Sequence, residues 1–179
     1  MHIRKTNAAD LDAVMNIIEE ARRTIAALGI DQWQHGSPNR AMLAEDIDLE
    51  QGRCVTVAVD GDDEAVVGTF ALIEDGEPTY NLIEEGQWLT SDRDGAGGWS
   101  YLAIHRVAIS VAHRGSGIST AILDYAADTA RRLGRGSLRI DTHRGNVVMR
   151  RMLEKHGFVH CGTIYLQNGD PRVAYERVL

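Results

Sequence analysis

Arg114, Gly115 and Gly117 stand between an apolar run and a helical pattern, and residue types in this order suit a phosphate group. The run Tyr101 to Val111 reads as a buried strand. It breaks at Arg114-Gly115-Ser116-Gly117-Ile118-Ser119, and helical periodicity begins at once. Backbone N–H groups in such a turn open at the positive end of a helix dipole, where an anion is stabilised. A side chain at Gly115 or Gly117 would crowd that anion or forbid a φ above zero. The same glycines are compatible with a plain tight turn.

Downstream, Leu138-Arg139-Ile140-Asp141-Thr142 reads as a strand, and Asn146 opens a second helix that closes at Glu154-Lys155-His156-Gly157-Phe158. Strand, Arg-x-x-Gly-x-small turn, long helix and the Asn…Glu-Lys-x-Gly-Phe ending resemble the acetyl-CoA-binding core of the GNAT superfamily of acyl-CoA-dependent N-acetyltransferases. Weaker similarity runs upstream, so the resemblance covers nearly the whole chain. It implies one α/β domain over residues 1–179. The implied sheet is mixed and mostly antiparallel, with a splay between two parallel strands and helices on its flanks.

The resemblance also implies acetyl-CoA as co-substrate. By motif position, the backbone of Val107, Ala108 and Ile109 would bond its pantetheine and thioester. Their apolar side chains alone are equally compatible with a core strand. The N–H groups of Gly115, Ser116, Gly117, Ile118, Ser119 and Thr120 would meet the pyrophosphate, with Arg114 as charged partner. Ser119 stands where the family prefers Gly or Ala, and its hydroxyl is a further donor. Asn146 matches the family's cofactor-binding asparagine and can equally be a helix N-cap. Many relatives place an acidic tyrosine seven residues later to protonate the leaving thiolate. Here that residue is Leu153, which leaves Tyr165 and Tyr101 as substitutes, each also readable as a strand residue with a wet hydroxyl.

Acetyl transfer needs a neutral amine. An ammonium of pKa about 10 must lose a proton first. Asp141 lies five residues before Asn146, where some relatives carry a catalytic glutamate. His105 lies four residues before Ile109, so strand alternation puts it on one face with Val107 and Ile109. His143, in the loop before Asn146, is the third candidate. Each also has a structural reading as a backbone or loop anchor.

Upstream elements must hold these groups. Asn7 can cap a helix bearing Leu11, Val14, Met15, Ile18, Ile25 and Leu28. Ser37-Pro38 starts a second, with Met42, Leu43 and Ile47 as its stripe. Cys54 to Val59 and Ala65 to Glu74 form a hairpin around Asp60-Gly61-Asp62-Asp63. A terminal hairpin turns at Asn168-Gly169. Two long non-core segments remain, Gly29 to Gly36 and Asp75 to Gly98, and loops on a rigid scaffold carry specificity. Their aromatics Trp33 and Tyr80 are the candidate substrate contacts, although loop aromatics often pin a loop to the body.

With 179 residues and 44% hydrophobic content, the chain can bury a core of its own. A net charge of −7 argues against nucleic acid as a partner and suits a cationic amine, from a small molecule or a peptide. The seven histidines show no metal-ligand spacing, so no metal is expected. Cys54 and Cys161 lack a Cys-x-x-Cys pattern and read as reduced core residues. Met1-His2-Ile3-Arg4-Lys5 lacks a signal peptide's apolar segment, and no run is long enough to span a membrane, so a cytoplasmic location is expected. A homodimer is left open. Direct transfer of acetyl to a primary amine is the expected function; a non-catalytic acyl-CoA sensor, favoured by Leu153, is the alternative.

Overall fold

Reciprocal capping fixes where the first helix begins. Asn7 Oδ1 accepts from the Ala9 N–H at 2.9 Å, and the Asp10 carboxylate accepts from the Asn7 N–H at 2.8 Å. The short 3-10 turn so formed leads into α1 (Leu11–Ala27), whose inner stripe is Val14, Ile17, Ile18 and Ala21. The second helix, α2 (Arg40–Asp48), begins later than Pro38 suggests, because Asn39 Oδ1 accepts from the Met42 N–H and does the capping. Leu43 is buried and Ile47 partly so, while Met42 is exposed.

The structure, a computed structural model, describes residues 1–48, 53–59 and 64–179. The expected turn at Asp60-Gly61-Asp62-Asp63 lies outside the described residues. Among the described residues there are seven strands, of which β1 (His2–Lys5) was not expected and the other six follow the β-rich runs of the sequence: β2 (Cys54–Val59), β3 (Ala65–Ile73), β4 (Tyr101–Ile109), β5 (Ser137–Thr142), β6 (Val159–Tyr165) and β7 (Pro171–Val178). Between them stand α3 (Ile118–Arg132) and α4 (Val147–Lys155). The sheet order is β1-β2-β3-β4-β5-β7-β6. Among the registered pairs, β1–β2, β2–β3, β5–β7 and β6–β7 are antiparallel and β4–β5 is parallel.

The chain forms two compact units. The first comprises Met1–Leu72 and Arg106–Ile122, with Val14, Ile17, Ile18, Leu43, Cys54 and Ala108 in its core. The second comprises Ile73–His105 and Leu123–Leu179. Its core joins Ile73, Tyr80, Tyr101, Ala103, Ile164 and Ala174. Within this unit the β4–β5 ladder runs only from Tyr101↔Ser137 to Ala103↔Arg139, while β5 continues along β7 to Thr142↔Val173. The parallel strands therefore part after Ala103 and Arg139, as the expected splay requires. Asp141 and His105 both lie beyond that point. Among the described residues, no helix is long and apolar enough to cross a membrane.

Candidate active site

In the first unit, the turn between β4 and α3 has the backbone that its glycines announce. Gly115 and Gly117 have φ of 79° and 84°, which L side chains rarely adopt. A Cβ at either would meet nothing within 4 Å, so open space lies over the turn. The N–H of Ala121 in α3 reaches back a full turn and donates to Gly117 O at 3.1 Å. The N–H groups from Gly117 to Ser119 thus sit at the helix's positive end. Ser116 Oγ donates to His113 O at 2.5 Å and ties the turn together. Arg114 is exposed and donates to the neutral Thr24 hydroxyl at 3.0 Å. Open space, positive helix end and guanidinium together fit a pyrophosphate.

Just upstream, Ser110 N–H donates to Val67 O at 2.9 Å and holds the end of β4 against β3. Arg106 has a φ of 54° in mid-strand, a left-handed value that costs about 1–2 kcal/mol outside glycine. Its guanidinium is ion-paired with Asp46 of α2. This kink interrupts the alternation on which His105, Val107 and Ile109 were expected to share a face, so the place of His105 rests on its contacts instead. Trp33, also at a left-handed φ of 68°, packs partly buried on the core of α1 and α2.

In the second unit, three expected site residues come together. Tyr80 sits on a 3-10 turn (Pro78–Asn81) and is only 1% exposed. Its hydroxyl donates to Asp141 Oδ1 at 2.8 Å and lies 3.4 Å from His105 Nε2. Tyr80, expected as a substrate contact, thus lies buried against the candidate bases. Burial, then the charge and hydrogen bond of Asp141, push its phenol well above the usual tyrosine range. It stays a proton donor to Asp141 at any working pH.

Glu77, which the sequence reading missed, completes the cluster. Its Oε1 accepts from Thr79 N–H at 3.1 Å and Thr79 Oγ1 at 2.8 Å, capping the Pro78–Asn81 turn. Its Oε2 lies 3.5 Å from His105 Nε2. Its N–H donates to the Tyr101 hydroxyl at 3.0 Å. Burial raises the Tyr101 phenol, partly offset by the Glu77 N–H and Arg139. The sequence signal available was Glu77 directly before Pro78, since proline suits the first position of a helical turn.

A second missed feature anchors this cluster. Arg139 and Glu176 are both fully buried and ion-paired at 3.1 Å. The guanidinium lies 4.3 Å from the Trp88 ring centroid and 4.1 Å from that of Tyr101. Trp88 Nε1 in turn donates to Tyr80 O at 2.9 Å. Glu176 accepts from Ser137 Oγ at 2.6 Å and from the N–H groups of Leu89 and Thr90 at 2.5 and 3.3 Å. Arg139 Nη2 donates to Thr90 O at 2.7 Å and Nη1 to Asp92 at 2.6 Å. A long segment that reads as a flap is held down by charges on β5 and β7.

The remaining candidates lie elsewhere in this unit. Asn146 caps α4, with Oδ1 accepting from Met149 N–H at 3.2 Å. His143 Nδ1 accepts from Gly145 N–H at 3.0 Å, so that lone pair is engaged. Leu153 is fully buried. Tyr165 is exposed on β6, and Glu84 raises its pKa, which weakens it as an acid. Cys54 and Cys161 are buried and free. Burial pushes the Cys161 thiol up to about 11, so it is no activated nucleophile.

A family model described as the acetyltransferase (GNAT) family matches residues 11–158. The chain belongs to the acetyltransferase (GNAT) family. A GNAT-family acetyltransferase from Streptococcus agalactiae 2603 is 34% identical, covers 99% of this chain and 95% of its own, and superposes with a TM-score of 0.83. A GNAT-family acetyltransferase from Listeria monocytogenes 4b F2365 shares the fold at 19% identity, with a TM-score of 0.70 over 99% of this chain and 94% of its own. So does a chain of the NatC complex bound to a Gag peptide and CoA, at 14% identity and a TM-score of 0.65, over 100% of this chain and 99% of its own. No curated protein sequence matches this chain.

Proposed function

We propose that this GNAT protein transfers an acetyl group from acetyl-CoA directly to a primary amine of a small molecule or peptide. The hydrogen-bonded set Asp141–Tyr80–His105 carries this reading, because a passive acyl-CoA binder has no use for two proton acceptors joined through a buried phenol. The NatC relative, solved with CoA and a peptide, supports the co-substrate. Arg114, the N–H groups from Gly115 to Thr120 and the backbone of Val107, Ala108 and Ile109 would hold it, with Asn146 as a further contact. Bound acetyl-CoA supplies an acyl carbon activated by its thioester.

His105 is the proton acceptor in this reading. A neutral imidazole has one ring nitrogen with a free lone pair, which can accept a proton from an amine that arrives as ammonium. One N–H bond of the ammonium breaks toward the ring, the freed lone pair forms the new N–C bond as the C–S bond breaks, and the second proton shed by the nitrogen goes to the departing CoA thiolate. Asp141 takes the Tyr80 proton contact and so acts through Tyr80 on His105. With the Cys161 thiol protonated and buried, transfer needs no acyl-enzyme. Trp33 remains the proposed amine contact of the first unit.

The test is a thiol-release screen with acetyl-CoA against a panel of small amines and peptides. Turnover with at least one amine, lost in His105→Gln, is the expected outcome. Leu153, buried and without a hydroxyl, favours the sensor reading. Tight acetyl-CoA binding with no thiol release across the whole panel would establish that alternative.

A further inference from the structure

The hydrogen-bond directions around His105 go one step deeper than the reading above, and rest on it only for the role of His105 in catalysis. Tyr80 has a single hydroxyl proton, and its 2.8 Å contact with the Asp141 carboxylate claims it. Burial keeps that phenol protonated. The Tyr80 oxygen can then only accept from other neighbours. His105 Nε2 faces this oxygen at 3.4 Å and Glu77 Oε2 at 3.5 Å. A carboxylate oxygen is also purely an acceptor. A ring nitrogen facing two acceptors must carry the hydrogen.

We propose that Glu77 and Tyr80 hold neutral His105 as its Nε2–H tautomer, so that Nδ1 is the nitrogen that takes the proton from the acceptor amine. Glu77 is then a positioning residue. Its other oxygen is fixed by two donors from Thr79, and its backbone is fixed on Tyr101, so Oε2 is presented to the ring by the capped turn. When an ammonium N–H bond breaks toward Nδ1, the ring becomes an imidazolium whose Nε2 already lies 3.5 Å from the Glu77 carboxylate. The ring needs no rotation to meet its counter-charge. The proton later leaves Nδ1 for solvent and restores the starting tautomer.

The experiment is two-bond 1H–15N correlation spectroscopy on the full chain labelled at histidine, at a pH where the ring is neutral. His105→Gln identifies the relevant signals by their loss. Expected in the parent protein is a protonated Nε2 and a lone-pair shift at Nδ1. In Glu77→Gln the amide oxygen keeps the Thr79 donors, so its NH2 faces Nε2, donor against donor. That variant should move population toward the Nδ1–H tautomer and lower kcat by about 10–100-fold, as loss of an orienting partner does elsewhere. Amine KM should change little. An Nδ1–H signal in the parent overturns the assignment whatever the rates are. Unchanged spectrum and rate in Glu77→Gln overturn the role of Glu77. The assigned parent spectrum together with full activity in His105→Gln overturns the base role and leaves the tautomer standing.

Discussion

The Tyr80 hydroxyl donates to Asp141 Oδ1 across 2.8 Å, tying the Pro78–Asn81 turn to β5. Tyr80→Phe removes one donor and one acceptor from a buried cluster while keeping the ring contacts with Trp88 and Tyr101. Polar atoms left without partners cost about 1–3 kcal/mol. Tm should fall by about 2–4 °C per kcal/mol for a chain of this size. Activity should drop more than that loss of folded protein explains, with acetyl-CoA affinity unchanged. Calorimetry and thiol release on the same samples separate the two effects.

Exchanging each candidate base tells them apart. His105→Gln should lower kcat by about 10²–10⁴, whereas Asp141→Asn, whose carbonyl still accepts from Tyr80, should cost less than about tenfold. The loss in His105→Gln should shrink at high pH, where more of the substrate is already free amine. Equal losses in both variants would place Asp141 on the substrate.

Acetyl-CoA affinity should answer to the turn before α3. Gly117→Asp puts a negative charge at the helix's positive end and a side chain at a φ of 84°. A Cβ there meets no neighbour, so the backbone strain alone is felt by the fold. Binding should be abolished while the protein stays folded. Arg114→Gln should weaken binding by about 10–100-fold, the worth of a charge-assisted hydrogen bond of about 1.5–3 kcal/mol. Isothermal titration calorimetry measures both.

The buried pair should be the most sensitive stability site. Glu176→Ala removes the buried counter-charge of Arg139 and leaves its guanidinium paired with the partly exposed Asp92, and breaking a buried pair costs about 3–5 kcal/mol. Urea denaturation should show it, and limited proteolysis should then cut within residues 89–92, which Glu176 and Arg139 hold.

Acid should expose a different contribution. The Arg4 guanidinium beside Asp10 holds that carboxyl below its usual range, and the Asn7 N–H adds to this. A depressed folded pKa means stability present above the unfolded value of about 4 and lost as pH falls through the folded one. Asp10→Asn should therefore be less stable than the parent at pH 7, and the gap should close in acid. Thermal melts across that range check the sign.

What the sequence could disclose follows from how local each requirement is. Gly115 and Gly117 are legible because a left-handed backbone leaves its mark in residue type. Asn146, Asp141 and the ends of α4 follow from motif spacing, and the sheet follows from the alternating runs. Glu77 and Tyr80 are not legible as partners of His105 and Asp141, because the turn that carries them lies in a stretch without periodicity. Tyr80 and Asp141 are 61 residues apart in the chain. Arg139 and Glu176 hide for the same reason: on β-strands they read as surface charges, and only packing between Trp88 and Tyr101 shows them as core. The kink at Arg106 has no residue-type signature, since arginine is an unusual choice for a positive φ.

Beside β6, the last strand of the sheet, Glu84 and Thr163 exchange both backbone hydrogen bonds at 2.8 Å. The approach is so close that a Cβ on Gly86 would fall 2.0 Å from Cys161 O, and one on Gly162 2.5 Å from Glu84 O. An open β edge is a template on which other chains can add strands. Here residues 83–86 occupy that template with a short, acidic piece of the same polypeptide. Glycine at 86 and 162 therefore lets this cover sit on β6. A side chain at either would clash with the backbone opposite and work against the cover, which would leave the β6 edge open to added strands.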